Sequence, residues 1–278
     1  MPETQDTEGF LSRGAPSLFP IGTPVRAVAV PGRLERSMIL NIPYKFLLAS
    51  LAAAALFAAF PALDLRTAAL FYRHGAFFLA RNGFVRVVYH SVPVVATVFC
   101  AVTILGLLLL LVTKKESFFR LGRRHLLFLL LAFALGPGLV VNWGLKDHFG
   151  RARPAQVTQF GGTKRFTRAF ELSDQDRRNG SFVCGHASVG FFFLTPGLFF
   201  DGRRRRVIIT GAALLGVLIG FARMAQGGHF LSDVVFAFVF VYLTSSLLHY
   251  AMFPQKAAPC DSSGGAAAEP PFDTIANF

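Results

Sequence analysis

The sequence predicts an all-α integral membrane protein, a bundle of six transmembrane helices. The first observation is composition: of 278 residues, 53% are hydrophobic and 15% are charged, and the mean hydropathy is +0.51. Soluble domains carry about 25% charged residues, so a soluble enzyme, a disordered protein and a disulfide scaffold all fit poorly. The second observation is that six segments lack Asp, Glu, Lys and Arg: 46–63, 87–113, 126–145, 187–200, 207–222 and 234–253.

The two ends of the chain have a different character. Residues 1–42 mix Pro, Gly and scattered charges without periodicity, and they lack the apolar core of a secretory signal. We interpret them as a largely disordered cytoplasmic arm. Residues 254–278 are rich in Pro, Gly, Ala and Ser, which is typical of a disordered tail. The predicted membrane domain is therefore 43–253.

The six segments differ in length. About 20 apolar residues cross the hydrocarbon of a bilayer, with a range of roughly 17–25. Four segments meet this length, but 187–200 and 207–222 are short and must recruit polar residues from their ends. Polar residues at membrane depth are tolerated where they line a site. The short segments therefore indicate where a functional site lies.

Loop charge predicts the orientation. The connections 114–124 and 201–206 are short and rich in Lys and Arg, which places them and both termini in the cytoplasm. The loop 146–186 then lies on the opposite, periplasmic side of a bacterial inner membrane, although it holds eight Lys or Arg against four acids. Topology does not explain that excess. In a membrane protein it indicates an anionic lipid rather than nucleic acid.

Polar residues converge at the outer ends of the last four segments. By the predicted topology they share one membrane face, so three fixed cations, two histidines and one carboxylate meet at one level. The three cysteines, far apart in the chain, show no disulfide or metal-ligand spacing. The candidate site consists of Lys146, Arg153, Cys184, Gly185, His186, Arg223, His229 and Asp233.

Each residue type has a role if the ligand is a phosphate. Arginine offers a planar fork that matches phosphate oxygens, and lysine adds a compact charge. Cys184 and Gly185 come where a helix starts, so their amides and the helix dipole favour an anion. His229 and Asp233 are four apart, which predicts one helical face, with the carboxylate holding one imidazole nitrogen and leaving the other as a nucleophile. His186 remains as the proton donor.

This ordered set resembles the type 2 phosphatidic acid phosphatase (PAP2) superfamily. The family pattern is K-x6-R-P, P-S-G-H and S-R-x5-H-x3-D, and this chain reads KDHFGRARP, VCGH and ARMAQGGHFLSD. Val183, Cys184 and Ala222 depart from it, Cys184 replacing a serine that binds a phosphate oxygen. The resemblance implies a catalytic core like that of vanadium haloperoxidases and a metal-independent phosphatase without cofactors.

The resemblance implies hydrolysis of a lipid phosphate monoester at the periplasmic face through a phosphohistidine. His229 would be the nucleophile, oriented by Asp233, and His186 the acid. Lys146, Arg153 and Arg223 would hold the phosphate, with Cys184 and Gly185 supplying amides.

The substrate is predicted by resemblance alone. The stretches around the motifs look most like lipid A phosphatases, which implies removal of the 1- or 4′-phosphate. Phosphatidylglycerol phosphate and undecaprenyl pyrophosphate remain alternative anionic lipids. A phosphotransferase using the same histidine, or a transporter, also remains open, although the polar residues cluster at one rim rather than near the midplane.

Several other polar residues are assigned no catalytic role. His148 and Arg151 lie inside the first motif but not at its fixed positions, and we interpret them as supporting or surface residues. Asp64 and Arg66 follow the first segment and are interpreted as boundary residues.

Overall fold

The structure is a computed structural model that describes residues 38–39, 42–118, 121–176 and 178–254. The predictions for 1–42 and 254–278 therefore lie almost entirely outside the described residues. Seven α-helices dominate these described residues, which confirms the all-α class. They are α1 Tyr44–Ala59, α2 Ala62–Ala69, α3 Gly83–Val112, α4 Arg123–Phe133 continuing directly as a π-helix Ala134–Lys146, α5 Gly185–Phe192, α6 Gly202–Ala225 and α7 Leu231–Met252.

The remaining elements are short. Within the described ranges, antiparallel strands pair β1 Met38–Ile39 with β2 Ile42–Pro43, β3 Tyr72–Arg73 with β4 Ala76–Phe77, and β5 Ser117–Phe118 with β6 Leu121–Gly122. Turns of 3₁₀-helix cover Pro154–Gln156, Thr158–Phe160 and Thr195–Phe199.

Four helices in the described part of the chain are long and apolar enough to cross a membrane: α3, α4 with its π-helix, α6 and α7. The pair α1 and α2, bent by 84°, would be a fifth span if the two helices together count as one. The predicted fourth segment instead forms the eight-residue α5 and then the 3₁₀ turn Thr195–Phe199. A membrane protein is thus confirmed, whereas the count of six spans is not.

The bend between α1 and α2 has a local cause. Pro61 lacks an N–H and disfavours helical backbone at the residue before it. Phe60 accordingly leaves the helix at φ −123° and ψ 64°, and α2 starts at Ala62. The bend brings Asp64 of α2 against Ser232 of α7, with Ser232 N donating to Asp64 Oδ1 at 2.9 Å. A predicted boundary residue therefore lies inside the fold.

The core forms where α5 packs on α6 and α7. A Cβ atom at Gly190 of α5 would lie 2.8 Å from the Cα of Gly216 in α6, so the two backbones touch at a glycine pair. Phe191 and Phe192 of α5 are buried beside this contact. By contrast, only 11% of the apolar stretch of α3 is buried inside the protein, as expected for a helix facing lipid.

Candidate active site

The predicted site residues lie at adjacent helix ends. The π-helix ends at Lys146, α5 begins at Gly185 with Cys184 as its N-cap, and Arg223 lies in the last turn of α6. His186 interacts electrostatically with the other histidine and with all three predicted phosphate-binding cations. The structure therefore brings together residues that are far apart in the sequence.

His229 lies in the loop before α7, two residues ahead of its first residue, Leu231. Its Nδ1 lies 2.7 Å from the backbone oxygen of Ser181. A carbonyl only accepts, so Nδ1 carries the proton and Nε2 carries the lone pair. His229 is 1% exposed, and its buried Nε2 has no hydrogen-bond partner among the described residues.

The charge state of His229 follows from its surroundings. Burial lowers its pKa to about 4, with Arg223 and Lys146 adding to the effect and Asp233 opposing it. The imidazole is therefore neutral at pH 7. A neutral imidazole with an open Nε2 has the form that a nucleophile requires.

Asp233 holds His229 less directly than the spacing predicts. His229 is not on the helix, because the chain breaks at Gly227, where φ is +68°, and the helix N-cap is Phe230. Its Nδ1 lies 3.5 Å from Asp233 Oδ2, farther than from the Ser181 carbonyl. Asp233 Oδ2 accepts the Ser181 hydroxyl at 2.5 Å and the Phe230 amide at 2.7 Å. Ser181, absent from the predicted set, thus connects the carboxylate to the imidazole.

His186 and Arg223 share an aromatic neighbour that sequence reasoning missed. The His186 ring stacks on Tyr89 of α3, with centroids 4.6 Å apart and planes at 17°. The Arg223 guanidinium lies 4.6 Å from the same ring. The buried Nε2 of His186 and Nε of Arg223 have no hydrogen-bond partner in the described part of the chain. Tyr89 therefore contacts two groups that each keep one buried nitrogen without a partner among the described residues.

The three cations assigned to phosphate have no acidic partner. Among the described residues, Lys146, Arg153 and Arg223 form no salt bridge, although Arg223 is only 7% exposed. Their neutral contacts are few: Arg153 donates to the backbone oxygen of Asn179 at 2.9 Å, and Arg223 donates to Gln226. Buried charge without compensation is unfavourable unless an anion binds.

The amides at the start of α5 are partly used within the protein. The Cys184 amide donates to the backbone oxygen of Asp233 at 3.0 Å, so of the two predicted amide donors the Gly185 amide remains. A Cβ atom at Gly185 would lie 2.5 Å from Asn142 Oδ1, which explains the glycine. Burial raises the pKa of the Cys184 thiol to about 11. A protonated, buried thiol is a poor nucleophile.

The burial and pairing of Arg151 and Asp64 differ most from the roles that the sequence predicts for them. Arg151 is fully buried, and its guanidinium contacts Asp64 Oδ2 at 2.8 Å and Asp233 Oδ1 at 2.7 Å. The first motif, KDHFGRARP, did indicate Arg151, because it places a third cation between Lys146 and Arg153. Nothing local in the sequence places Asp64 near residues 151 and 233.

No three His, Cys, Asp or Glu side chains in the described ranges are grouped closely enough to hold a metal ion.

Comparisons with known proteins give the family of this chain. The PAP2 superfamily model matches residues 125–257. A lipid A 4′-phosphatase of Francisella tularensis subsp. novicida is 38% identical over 204 residues, covering 72% of this chain and 90% of the relative. Lipid A 4′-phosphatases of Rhizobium etli and Rhizobium leguminosarum are 35% and 36% identical, over 43% and 42% of this chain and 45% and 48% of their own lengths. No solved structure matches.

The fold and the site together define a membrane-embedded helical enzyme that hydrolyses phosphoric monoesters. The chain belongs to the PAP2 superfamily, and the resemblance stated from its motifs is confirmed.

Proposed function

We propose that the protein removes the 4′-phosphate of lipid A through a phosphohistidine intermediate. One observation carries the chemistry: in the part of the chain that the structure describes, cations without acidic partners lie near two imidazoles whose Nε2 atoms are open. All three cations act on His186, and Arg223 and Lys146 also act on His229. The choice of lipid A and of the 4′ position is supported by the names of the three relatives.

The first step forms the phosphohistidine. The lone pair of His229 Nε2 attacks phosphorus in line, and the bond from phosphorus to the sugar oxygen breaks. The leaving oxygen takes a proton from His186, whose protonated form the incoming phosphate dianion favours. Lys146, Arg153 and Arg223 neutralise the charge on the phosphoryl oxygens, and the Gly185 amide donates to one of them.

The second step regenerates the enzyme. His186, now neutral, takes a proton from water, and the water oxygen attacks phosphorus. The bond between phosphorus and His229 Nε2 breaks, releasing inorganic phosphate. The proton stays on His229 Nδ1 and is donated to the Ser181 carbonyl throughout, so the same tautomer is ready for the next turnover.

We place the site at the periplasmic face of the inner membrane. Arg203 lies in the first turn of α6 and Arg223 in the last. At 1.5 Å per residue, the 24 residues of α6 separate its ends by about 36 Å, so the short basic loop and the site lie on opposite sides of a bilayer. A cytoplasmic basic loop then puts the site outside.

Phosphate release by the purified full-length protein tests the proposal. The substrates are lipid A 1,4′-bisphosphate, phosphatidylglycerol phosphate and undecaprenyl pyrophosphate, with mass spectrometry of the lipid product. We expect 4′-monodephosphorylated lipid A, no detectable turnover in His229→Ala, and a loss of about 10²- to 10⁴-fold in His186→Ala. His148→Ala, an exposed histidine of the first motif, is the matched control and should keep wild-type activity.

Other outcomes separate the alternatives. Loss of the 1-phosphate, or preference for another lipid, would refute the substrate assignment. Transfer of phosphate to a second lipid rather than to water would indicate a phosphotransferase. Full activity in His229→Ala would refute the phosphohistidine, and because three cations supply the neutralisation, we expect release to persist in EDTA.

A further inference from the structure

Arg151 joins two carboxylates that come from distant parts of the chain. Its Nη2 donates to Asp64 Oδ2 of α2 at 2.8 Å, and its Nη1 donates to Asp233 Oδ1 of α7 at 2.7 Å. The same guanidinium donates to the Ser232 hydroxyl at 2.8 Å and to the Thr167 backbone oxygen at 2.9 Å. Arg151 and the four residues that it contacts are each at most 2% exposed. The orientation of the guanidinium is therefore set on every side.

The two carboxylates also bind the first turn of α7. Asp64 accepts the Ser232 amide at 2.9 Å and the Ser232 hydroxyl at 2.6 Å, while Asp233 accepts the Phe230 amide at 2.7 Å. These amides belong to the end of a helix that lacks internal partners and carries positive partial charge. A residue of α2 thus fixes the start of the helix that follows the nucleophile.

A continuous set of hydrogen bonds leads from this cluster to the imidazole. Arg151 holds Asp233 Oδ1, Asp233 Oδ2 accepts the Ser181 hydroxyl at 2.5 Å, and the Ser181 carbonyl accepts His229 Nδ1 at 2.7 Å. None of these contacts involves His229 Nε2, the atom that would meet phosphorus. The cluster can therefore act on the orientation of the imidazole without touching the substrate.

We propose that Asp64 and Arg151 are positioning residues for the reaction, which orient His229 through Asp233 and Ser181. The inference rests on the proposed function, because it takes His229 as the nucleophile. Its carboxylates pair with Arg151 and, among the described residues, form no salt bridge with Lys146, Arg153 or Arg223. The cluster therefore separates Arg151 from the cations of the proposed phosphate site. Loss of Asp64 should then slow the chemical step without weakening substrate binding.

Steady-state kinetics of Asp64→Asn in the full-length protein tests this inference. Asparagine keeps the shape of the side chain and removes its charge, so the Arg151 guanidinium loses one of its two ionic anchors. We expect kcat to fall at least about tenfold with KM unchanged, because the imidazole tilts while the phosphate site stays intact. Arg66→Gln, an exposed cation on the same helix, is the matched control and should change neither constant.

A second variant covers the case in which Asp64→Asn does not fold. Ser232→Ala keeps every charge and removes the hydroxyl that joins Arg151 to Asp64. It should lower kcat by a smaller factor, again with KM unchanged. Wild-type kcat in a folded Asp64→Asn protein, or in Ser232→Ala when the first variant is unfolded, would overturn the inference. So would a loss confined to KM.

The substrate used keeps this test separate from the proposed function. Both variants are assayed on lipid A and on a short-chain phosphatidate. If wild type hydrolyses only the phosphatidate, the lipid A assignment fails while the positioning role is still decided by kcat on that substrate. If His229→Ala is as active as wild type, the nucleophile assignment fails, and the positioning role fails with it.

Discussion

At the scale of single residues, burial decides what the titratable groups can do. Cys184 is the N-cap of α5 and lies near Arg223 and Lys146, a position that from sequence suggests a reactive thiol. It is fully buried, however, and burial raises its pKa to about 11. His229 is equally buried, and its pKa is lowered to about 4. At neutral pH the thiol is therefore protonated and the imidazole is unprotonated, which favours the histidine as the nucleophile.

Cys184 should be dispensable. We expect Cys184→Ser to keep activity within about threefold of wild type, since a hydroxyl occupies a similar space and is a stronger donor than a thiol. In a Cys100→Ser, Cys260→Ser background, iodoacetamide at neutral pH should leave phosphate release unchanged. As a control, iodoacetamide should alkylate the denatured protein, which shows that the Cys184 thiol is present and unmodified. Rapid inactivation of the folded protein would contradict this prediction.

At the scale of elements, a close contact between two helices sets the spacing of the site. His186 lies in the first turn of α5 and Arg223 in the last turn of α6, and the two helices touch at Gly190 and Gly216. A Cβ at Gly190 would also lie 2.8 Å from Ile219 Cδ1. The distance between a proposed acid and a proposed phosphate ligand therefore depends on two glycines buried within the bundle.

Gly190→Ala should push α5 away from α6. We expect a loss of about 1–3 kcal/mol in the free energy of unfolding, as for overpacked cores, and lower phosphate release. Gly211→Ala is the matched control, because a Cβ at that position of α6 meets nothing within 4 Å. Thermal unfolding of both proteins in detergent measures the difference. Equal unfolding temperatures for the two variants would contradict the packing argument.

At the scale of the whole molecule, the basic residues form separate groups at the two ends of the long helices. In α6, for example, four arginines, 203–206, lie at the first residues of the helix, and Arg223 of the candidate site lies in its last turn. The net charge of +13 is therefore less informative than its distribution. A site at the membrane surface would let the acyl chains of a lipid stay in the bilayer while the headgroup reaches the cations.

Cysteine labelling of intact cells tests that orientation. In the Cys100→Ser, Cys260→Ser background, a membrane-impermeant maleimide should label Leu172→Cys, in the loop on the site side, because Leu172 is 72% exposed. Arg204→Cys, in the basic first turn of α6, should react only after the cells are lysed. The reverse pattern would place the site in the cytoplasm.

Local patterns predict much of this protein from sequence. Apolar segments predict spanning helices because the backbone must satisfy its hydrogen bonds internally in lipid, and four such helices are found in the described residues. The start of α5 at Gly185 is also predicted correctly. The fourth predicted span is not found as a long helix, since Pro196 interrupts it within the Thr195–Phe199 turn.

The sequence by itself determined that this is a membrane protein and to which family it belongs, because composition and motif spacing are local properties. Only the tertiary structure decided how these residues are held. Ser181 rather than Asp233 is nearest to the His229 Nδ1, and Asp64 reaches Arg151 across 87 positions of the chain. Such contacts depend on the bend at Pro61 and on helix packing, which no local pattern specifies.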